Sequence, residues 1–311
     1  MCCKVPPAGT ATGRHACRSL AVLLGCLAVL IIPADAPSVT LVPAAAIGGG
    51  IPTDVVLSGD VLYVAAMTRL SVYHVEPDGS LTAAGGLSGV GMRRLQVHGS
   101  LAYAACGSMG VWILDVSSPS KPTQVGFLDT AGEVNALYVI HPLVYVADGP
   151  GGLLILDVNK PSTPRVVSAC AVGNDARGVW VGGVYAYVAC GEDGVAVVDV
   201  GDPTAPRVVH TIETPGTARW VTGNGSLLAV ACGESGVHFL DISSPTKHRV
   251  VGFYPSPDVY SVVLQGTRAY VAEGTSGFSV LDISRPRNPA VAAVMRVPGS
   301  VVGVDLSLIH I

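Results

Sequence analysis

The sequence predicts an all-β protein built from repeated units of about 42 residues, and three observations support this prediction. A phrase such as GVAVVDVGDPTAPRVV, an apolar run that ends in aspartate before a proline-containing turn, occurs five times. A second phrase, such as AYVACG, precedes it in step. Beyond the N-terminal segment no stretch has the pattern of an amphipathic helix, whereas short Val-, Ile- and Tyr-rich runs bounded by Gly, Asp and Pro are typical of strands.

The repeat aspartates set the period of the unit. They lie 42, 42, 42 and 41 residues apart, at Asp115, Asp157, Asp199, Asp241 and Asp282. A degenerate copy comes first, with His74 in the aspartate position, and His248 replaces the second proline in the copy that contains Asp241. The second phrase carries a tyrosine at one position in five copies: Tyr63, Tyr103, Tyr145, Tyr187 and Tyr270. Two phrases at one period indicate a true internal repeat.

Each unit divides into four strands, which in the unit around Asp199 are GVWVGG, VYAYVACG, GVAVVDV and PRVVHTIE. Four strands in about 42 residues is the size of a β-propeller blade. One such sheet cannot bury both apolar faces alone, so the blades must stack around an axis. We therefore predict a β-propeller of four-stranded blades, six visible, with residues 298–306 starting a seventh. The alternative is that this last strand closes the ring on the first blade.

The aspartate-proline phrase, in forms such as ILDVSSP, VVDVGDP and FLDISSP, resembles the LVIVD repeat of secreted or surface bacterial proteins. The resemblance covers residues 51–305 and implies a β-propeller outside the cytoplasm. It implies no single activity. His74 and His248 depart from the repeat pattern and make their two blades less regular than the others.

The N-terminal 36 residues have the features of a secretory signal. Three basic residues, Lys4, Arg14 and Arg18, precede an apolar run over 20–32, and the segment ends in Ala-Asp-Ala at Ala36. The run is shorter than the roughly 20 residues that span a bilayer, so we expect no membrane span in the mature chain. The alternative is a lipobox with lipid attachment at Cys26. Either interpretation predicts a secreted or cell-envelope protein.

The remaining boundaries follow from these segments. Residues 37–50 form a linker, and the propeller covers 51–305. The last six residues, 306–311, resemble the translation of a sequencing adapter, and the alternative is an ordinary apolar strand end. We expect a monomer.

Composition and residue spacing argue against several site classes. The net charge is -4 and no basic run is present, so we expect no nucleic-acid partner. Cys106, Cys170, Cys190 and Cys232 lack zinc-site spacing and are expected to be small buried residues, with only Cys170 placed to find a disulfide partner. The hairpin acids are interpreted as solvated: Asp148, Glu192, Asp193, Glu234 and Glu273. We expect no metal and no cofactor.

The repeat aspartates suit a structural turn. An Asp that ends a strand before a proline turn can accept a backbone N–H two residues on, and the proline ends the strand. Equivalent aspartates lie one blade apart, too far to share a metal ion. We therefore interpret all five as turn residues.

The candidate ligand site is the mouth of the central channel, where the inner strands begin. Ten residues before the tyrosine position the blades place Thr53, Arg93, Asn135, Arg177, Arg219 and Tyr260. Two residues earlier come Glu133, Asp175 and Asp258. Three arginines suggest an anionic group as ligand, with Tyr138, Trp180 and Trp220 able to stack on a sugar. The alternative is a solvated rim whose arginines pair with the acids.

The function predicted from these features is a non-enzymatic binding or interaction scaffold for a protein or carbohydrate. No nucleophile elbow, zincin or phosphate-loop motif occurs, and the histidines fall at different repeat positions: His74, His98, His141, His210, His238 and His248. The alternative is a propeller hydrolase or lyase acting on a sugar or lactone in the channel. A purely structural or adhesive role is the third candidate.

Overall fold

The computed structural model describes the backbone of residues 18–23, 28–33, 52–76, 80–296 and 300–309, and side chains within 52–76, 80–296 and 300–304. The described residues contain strands and turns but no helix, so they include no helix long and apolar enough to cross a membrane. The linker predicted at 37–50 lies outside the described residues.

Six consecutive four-stranded antiparallel sheets form the blades, each running in chain order from an inner to an outer strand. Their strands are β3 (Pro52–Ser58), β4 (Val61–Ala66), β5 (Arg69–Val75), β6 (Leu81–Ser88); β7 (Arg94–His98), β8 (Leu101–Ala105), β9 (Val111–Asp115), β10 (Thr123–Leu128); β11 (Ala136–Ile140), β12 (Leu143–Ala147), β13 (Leu153–Asp157), β14 (Arg165–Cys170); β15 (Gly178–Gly182), β16 (Tyr185–Ala189), β17 (Val195–Asp199), β18 (Arg207–Ile212); β19 (Trp220–Asn224), β20 (Leu227–Ala231), β21 (Val237–Asp241), β22 (Arg249–Tyr254); and β23 (Ser261–Gln265), β24 (Arg268–Ala272), β25 (Phe278–Asp282), β26 (Ala290–Met295). The predicted all-β propeller with six four-stranded blades is confirmed.

A seventh, three-stranded sheet lies between the first and last blades. Its strands are β1 (Arg18–Leu23), β2 (Ala28–Pro33) and β27 (Val304–Ile309), in the order β2-β1-β27. β27 contacts the inner strands β3 and β23, so it occupies the inner position of this sheet. Strands β1 and β2 fall within the predicted signal, and β27 runs through residues interpreted as adapter sequence. Signal cleavage and the natural C-terminus stay predictions.

The hydrophobic core lies between blades rather than within one sheet. Tyr187 of the fourth blade is 2% exposed and packs with Val221 and Leu228 of the fifth. Tyr103 and Tyr270 occupy the same position in their blades and are equally buried. Because each sheet buries both faces against its neighbours, its second and third strands are nearly continuous apolar runs.

Hydrogen bonds between backbones join successive blades. In the second to sixth blades, a glycine shortly after the second strand pairs with the residue that enters the next sheet, as in Gly107 with Val134, where the two N···O distances are 3.1 and 3.0 Å. The same bridge recurs at Gly149, Gly191, Gly233 and Gly274. These bridges fix the start of each inner strand.

The repeat aspartates form the expected turn in every copy. Oδ1 of Asp115 accepts the N–H of Ser117 at 2.8 Å, and the other four make the same hydrogen bond two residues on, at 2.8 to 3.0 Å. Hydrogen bonds to this turn lower the pKa of all five carboxyls. In three blades the aspartate also pairs with the arginine that opens the outer strand, Arg165, Arg207 or Arg249.

The outer strands contain a bulge that packs against the turn of the next blade. Gly126 and Gly252 occupy this position, and a Cβ on either would overlap a carbonyl oxygen, that of Pro161 or Pro286. Where Ser168 takes the position, its hydroxyl donates to the Pro203 carbonyl at 2.6 Å. The fourth blade has His210 there.

The four cysteines of the propeller are buried and free. Burial raises the pKa of Cys106 and Cys232 to about 12 and that of Cys190 to about 11. Cys170, the one predicted candidate for a disulfide, is 9% exposed and has no disulfide partner among the described residues.

Candidate ligand site at the central channel

The structure brings the predicted rim residues to one level of the channel mouth. Five of them directly precede an inner strand, and the backbone N–H of each donates to the last carbonyl of the second strand, as from Arg177 to Ala189 at 2.8 Å; Thr53 lies within β3, and the three acids lie two residues before the position of the five. The same bond holds Arg93, Asn135, Arg219 and Tyr260 at 2.7 to 2.9 Å. The repeat therefore gives five blades one rigidly placed polar or aromatic side chain each at the mouth.

Arg93 reaches from the second blade to the third. Its two terminal nitrogens donate to the two Glu133 carboxylate oxygens at 3.2 Å each, and one also donates to the Asn135 amide oxygen. The Asn135 amide nitrogen in turn donates to the Ala176 carbonyl at 2.9 Å on the fourth blade. A chain of side chains thus links three blades along the rim.

The other two rim arginines are paired as well. Arg177 binds Asp175 of its own blade, with nitrogen–oxygen distances of 2.7 Å. Arg219 donates to Asp258 of the next blade at 2.7 Å and lies 4.7 Å above the centre of the Tyr260 ring. Thr53 donates to the Met92 carbonyl.

The rim is therefore balanced in charge, since three guanidinium groups face three carboxylates. These groups remain open to solvent: the Glu133 and Asp175 side chains are 54% and 44% exposed. Exposed pairs of this kind stabilise the fold little, by about 0–1 kcal/mol each. Replacing such a pair's hydrogen bonds by hydrogen bonds to a ligand therefore costs little free energy.

Glycine at the end of the second strand makes room for these arginines. Gly107 has φ +60°, and a Cβ there would stand 3.1 Å from Nε of Arg93. Positive φ and the close guanidinium both favour glycine at this position.

One residue further along the chain than the rim arginine Arg93, a fourth ion pair lies inside the channel. Arg94 donates to Asp54 at 3.1 Å, and the other Asp54 oxygen accepts the N–H of Leu95 at 2.8 Å. The Arg94 guanidinium also lies 4.4 Å from the centre of the Trp220 ring, which belongs to the fifth blade on the far side of the channel. Burial raises the pKa of Asp54, and Arg94 opposes this effect.

The sequence analysis missed this pair, although a signal was available. Asp54, Arg94 and Trp220 share a repeat position that holds small residues in three blades, namely Ala136, Gly178 and Ser261. The Trp220 ring lies beside Gly178, where an added Cβ would stand 3.2 Å from it. Comparison of this position across blades predicts contacts across the channel.

The channel encloses a cavity of about 360 Å³. Asp54, Arg94, Gln96, Tyr138, Trp180 and Trp220 are among the residues that line it. This volume is within the range of small-molecule sites, roughly 300–1,000 Å³.

The aromatic side chains proposed to stack on a sugar are mostly covered. Arg94 lies over Trp220, and Trp180 is 9% exposed, with its ring tilted against Tyr187 and lodged over the backbone of Gly182 and Gly223. The Tyr138 side chain remains partly exposed to solvent. Burial raises the pKa of its hydroxyl group, and a hydrogen bond with Trp180 opposes this rise.

Two hairpin acids differ from the solvated turns expected of them. Asp148 and Glu273 occupy the position of the buried cysteines and are 0% and 4% exposed. Asp148 accepts from the Thr130 hydroxyl at 2.7 Å and the Gly132 N–H at 3.0 Å, and burial raises its pKa. Glu273 accepts from Ser279 at 2.6 Å. Both carboxyl groups have a structural role in the interior, because a buried carboxylate requires hydrogen-bond donors and so fixes the segments that supply them.

The histidines fall at different repeat positions, yet four of them meet in two pairs. The rings of His98 and His141 stack at 5.7 Å, and Nε2 of His210 lies 3.0 Å from Nδ1 of His248. Different repeat positions meet here because each blade packs against its neighbour. No group of three or more His, Cys, Asp or Glu side chains suited to a metal occurs within the described part of the chain.

The family model for the LVIVD repeat matches residues 92–130, 131–172, 173–214 and 258–295, more than half of the chain. The chain belongs to the LVIVD-repeat family. The matched segments of this LVIVD-repeat protein omit 215–257, which includes His248, and the degenerate first blade. No curated protein sequence matches the chain significantly.

Solved structures share the fold at low sequence identity. A protein from Lactobacillus plantarum is 12% identical, with a TM-score of 0.81 over 94% of this chain and 99% of its own. A functionally unknown protein from Desulfotomaculum acetoxidans is 11% identical, with a TM-score of 0.74 over 94% and 99%. Apo AztD from Citrobacter koseri is 12% identical, with a TM-score of 0.65 over 94% and 98%. At this identity the similarity shows the fold alone.

Proposed function

We propose that this LVIVD-repeat protein is a secreted or cell-surface binding scaffold whose ligand enters the mouth of the central channel. One observation supports this most: the inner strands that follow the polar rim residues line a cavity of about 360 Å³ in the channel. A location outside the cytoplasm rests on the predicted secretory signal.

The balanced rim favours a neutral ligand with many hydrogen-bonding groups, such as a mono- or disaccharide. Each sugar hydroxyl can donate to Glu133, Asp175 or Asp258 while it accepts from the paired arginine, so a sugar can use both members of a pair. A strongly anionic ligand would instead meet the three carboxylates. We therefore propose carbohydrate rather than phosphate or sulfate as the ligand class.

The test measures binding of a panel of mono- and disaccharides by thermal shift and calorimetry. At least one sugar should raise the Tm of the wild-type protein, and Arg177→Ala and Arg219→Ala should each weaken its binding tenfold or more. Arg207→Ala is the matched control, because it removes a similar arginine–aspartate pair on the outer edge of the fourth blade.

Equal loss in Arg207→Ala, or no binding by any sugar, would contradict the proposal. Recovery of a cleaved or eliminated product from a bound sugar would favour the hydrolase or lyase alternative. If sugar binding is unchanged in both Arg177→Ala and Arg219→Ala, the ligand site lies on the blade-edge loops rather than at the rim.

A further inference from the structure

His210 and His248 meet at the outer edge of the propeller, between the fourth and fifth blades. His210 lies at the bulge of β18, and His248 directly precedes β22. Both side chains are part-buried, so solvent reaches this edge of the pair.

At this interface both blades depart from the repeat: the fourth has His210 at the bulge position, and the fifth has His248 at the proline position. At the corresponding contacts elsewhere, Gly126 or Gly252 occupies the bulge and Pro164 or Pro289 precedes the next outer strand. Between the third and fourth blades the pair is Ser168 and Pro206. The fold therefore forms this contact without histidine, and two imidazoles at one contact need another explanation.

The geometry of the pair suits a chelate. The two ring nitrogens are 3.0 Å apart, and the rings are tilted by 41° with centres 5.1 Å apart. Two imidazole nitrogens at about 2.0–2.1 Å from one metal ion, at angles between a right angle and the tetrahedral angle, lie about 2.8–3.4 Å apart. We propose that His210 and His248 bind one divalent late first-row transition metal ion, with Cu²⁺ as its tightest-binding representative.

The choice of metal class follows from the ligand type. Imidazole suits copper, nickel and zinc, and among divalent ions of this row Cu²⁺ binds nitrogen sites most tightly. Both rings must be neutral when they bind the ion, because each ligating nitrogen needs a free lone pair. In the free pair one ring nitrogen donates a hydrogen bond to the other. When both nitrogens bind the metal ion, the donor ring carries its proton on its far nitrogen instead, so no net proton release is required.

The test uses the full chain, stripped of metal and titrated with CuCl₂ by calorimetry and electron paramagnetic resonance. Wild-type protein should bind one Cu²⁺ whose spectrum shows coupling to two imidazole nitrogens. His210→Ser and His248→Pro restore the residues of neighbouring blades, and each should weaken this binding tenfold or more. His141→Ala is the control, because the rings of His98 and His141 lie parallel, at 4°, and do not converge on one point.

Cu²⁺ binding that is equally tight in wild type, His210→Ser and His248→Pro would overturn the proposal. So would a wild-type spectrum without coupling to two imidazoles, a result that does not depend on the variants folding. Loss of binding in His141→Ala to the same degree would also contradict it. The histidine pair lies on the outer edge of the propeller, away from the channel mouth. Copper binding and sugar binding are therefore measured independently, and either can fail without the other.

Discussion

Three of the five repeat aspartates, Asp157, Asp199 and Asp241, use their two carboxylate oxygens on two segments of the blade. In Asp157, Oδ1 accepts the N–H of Asn159 at 2.8 Å, and Oδ2 accepts from Arg165 at 2.7 Å. The turn and the start of the outer strand are thereby held together. The hydrogen bond from Asn159, followed by that from Arg165, lowers the pKa of the carboxyl.

We expect Asp157→Ala to lower the Tm by a few degrees at pH 7, and Asp157→Asn to lower it less because the amide keeps an acceptor oxygen. A carboxyl whose pKa is lowered on folding contributes stability above its unfolded value of about 3.9, and loses it as the pH falls through the lower folded value. The Tm difference between wild type and Asp157→Ala should therefore fade below about pH 4. Thermal unfolding followed by circular dichroism from pH 7 to pH 3 measures this, and equal Tm values at pH 7 would contradict it.

At the scale of strands, the outer-strand bulge decides how closely two blades approach. Gly252 at the bulge of β22 lies against the Pro286 carbonyl of the next turn, and no side chain fits between them. At the equivalent position Ser168 has room for its side chain, and its hydroxyl donates to the Pro203 carbonyl. Blade spacing at the circumference therefore varies with this one residue.

Gly252→Ala should destabilise the protein by about 1–3 kcal/mol or more, because overpacking a close contact forces the backbone to shift. Ser168→Ala, which removes one hydrogen bond and adds no atom, should cost about 1 kcal/mol. Urea unfolding of both variants gives the comparison. A Gly252→Ala protein as stable as Ser168→Ala would show that the blades yield at this contact.

The period of the repeat predicts the strands well because each strand is bounded by glycine or an aspartate–proline turn that belongs to the same phrase. The aspartate turns follow for the same reason. Contacts between blades are harder to predict, because they join positions about 40 residues apart that the alignment places in different columns. The pairs His210–His248 and Arg93–Glu133 are of this kind.

The rim illustrates the same limit at the candidate site. The shared repeat position predicts that Arg93, Arg177 and Arg219 lie at the channel mouth, and in the structure each directly precedes an inner strand. The sequence does not determine whether these arginines are free or paired, because pairing depends on side-chain direction, in two of the three cases across a blade boundary. Asp258, for example, belongs to the blade after that of Arg219.

For the whole molecule, the question is how the ring of blades closes. Val301 pairs with Gly274 through two backbone hydrogen bonds of 2.9 Å, and Val301 and Val304 pack against Tyr270 and Phe278 of the last blade. The same segment leads into β27, which contacts the first blade through β3. The described side chains that join the last blade to β27, those of Val301 and Val304, thus come before residue 306.

A chain that ends at Ser300 should therefore have a lower Tm than a chain that ends at Asp305, because it loses Val301, Val304 and the bridge to Gly274. The chain that ends at Asp305 should match the full chain if residues 306–311 are adapter sequence. Differential scanning calorimetry of the three chains measures both differences. A fall in Tm on removal of 306–311 alone would instead show that the pairing of β27 with β1 stabilises the closed ring. Equal Tm values for the chains ending at Ser300 and Asp305 would mean that the six four-stranded blades hold together without this junction.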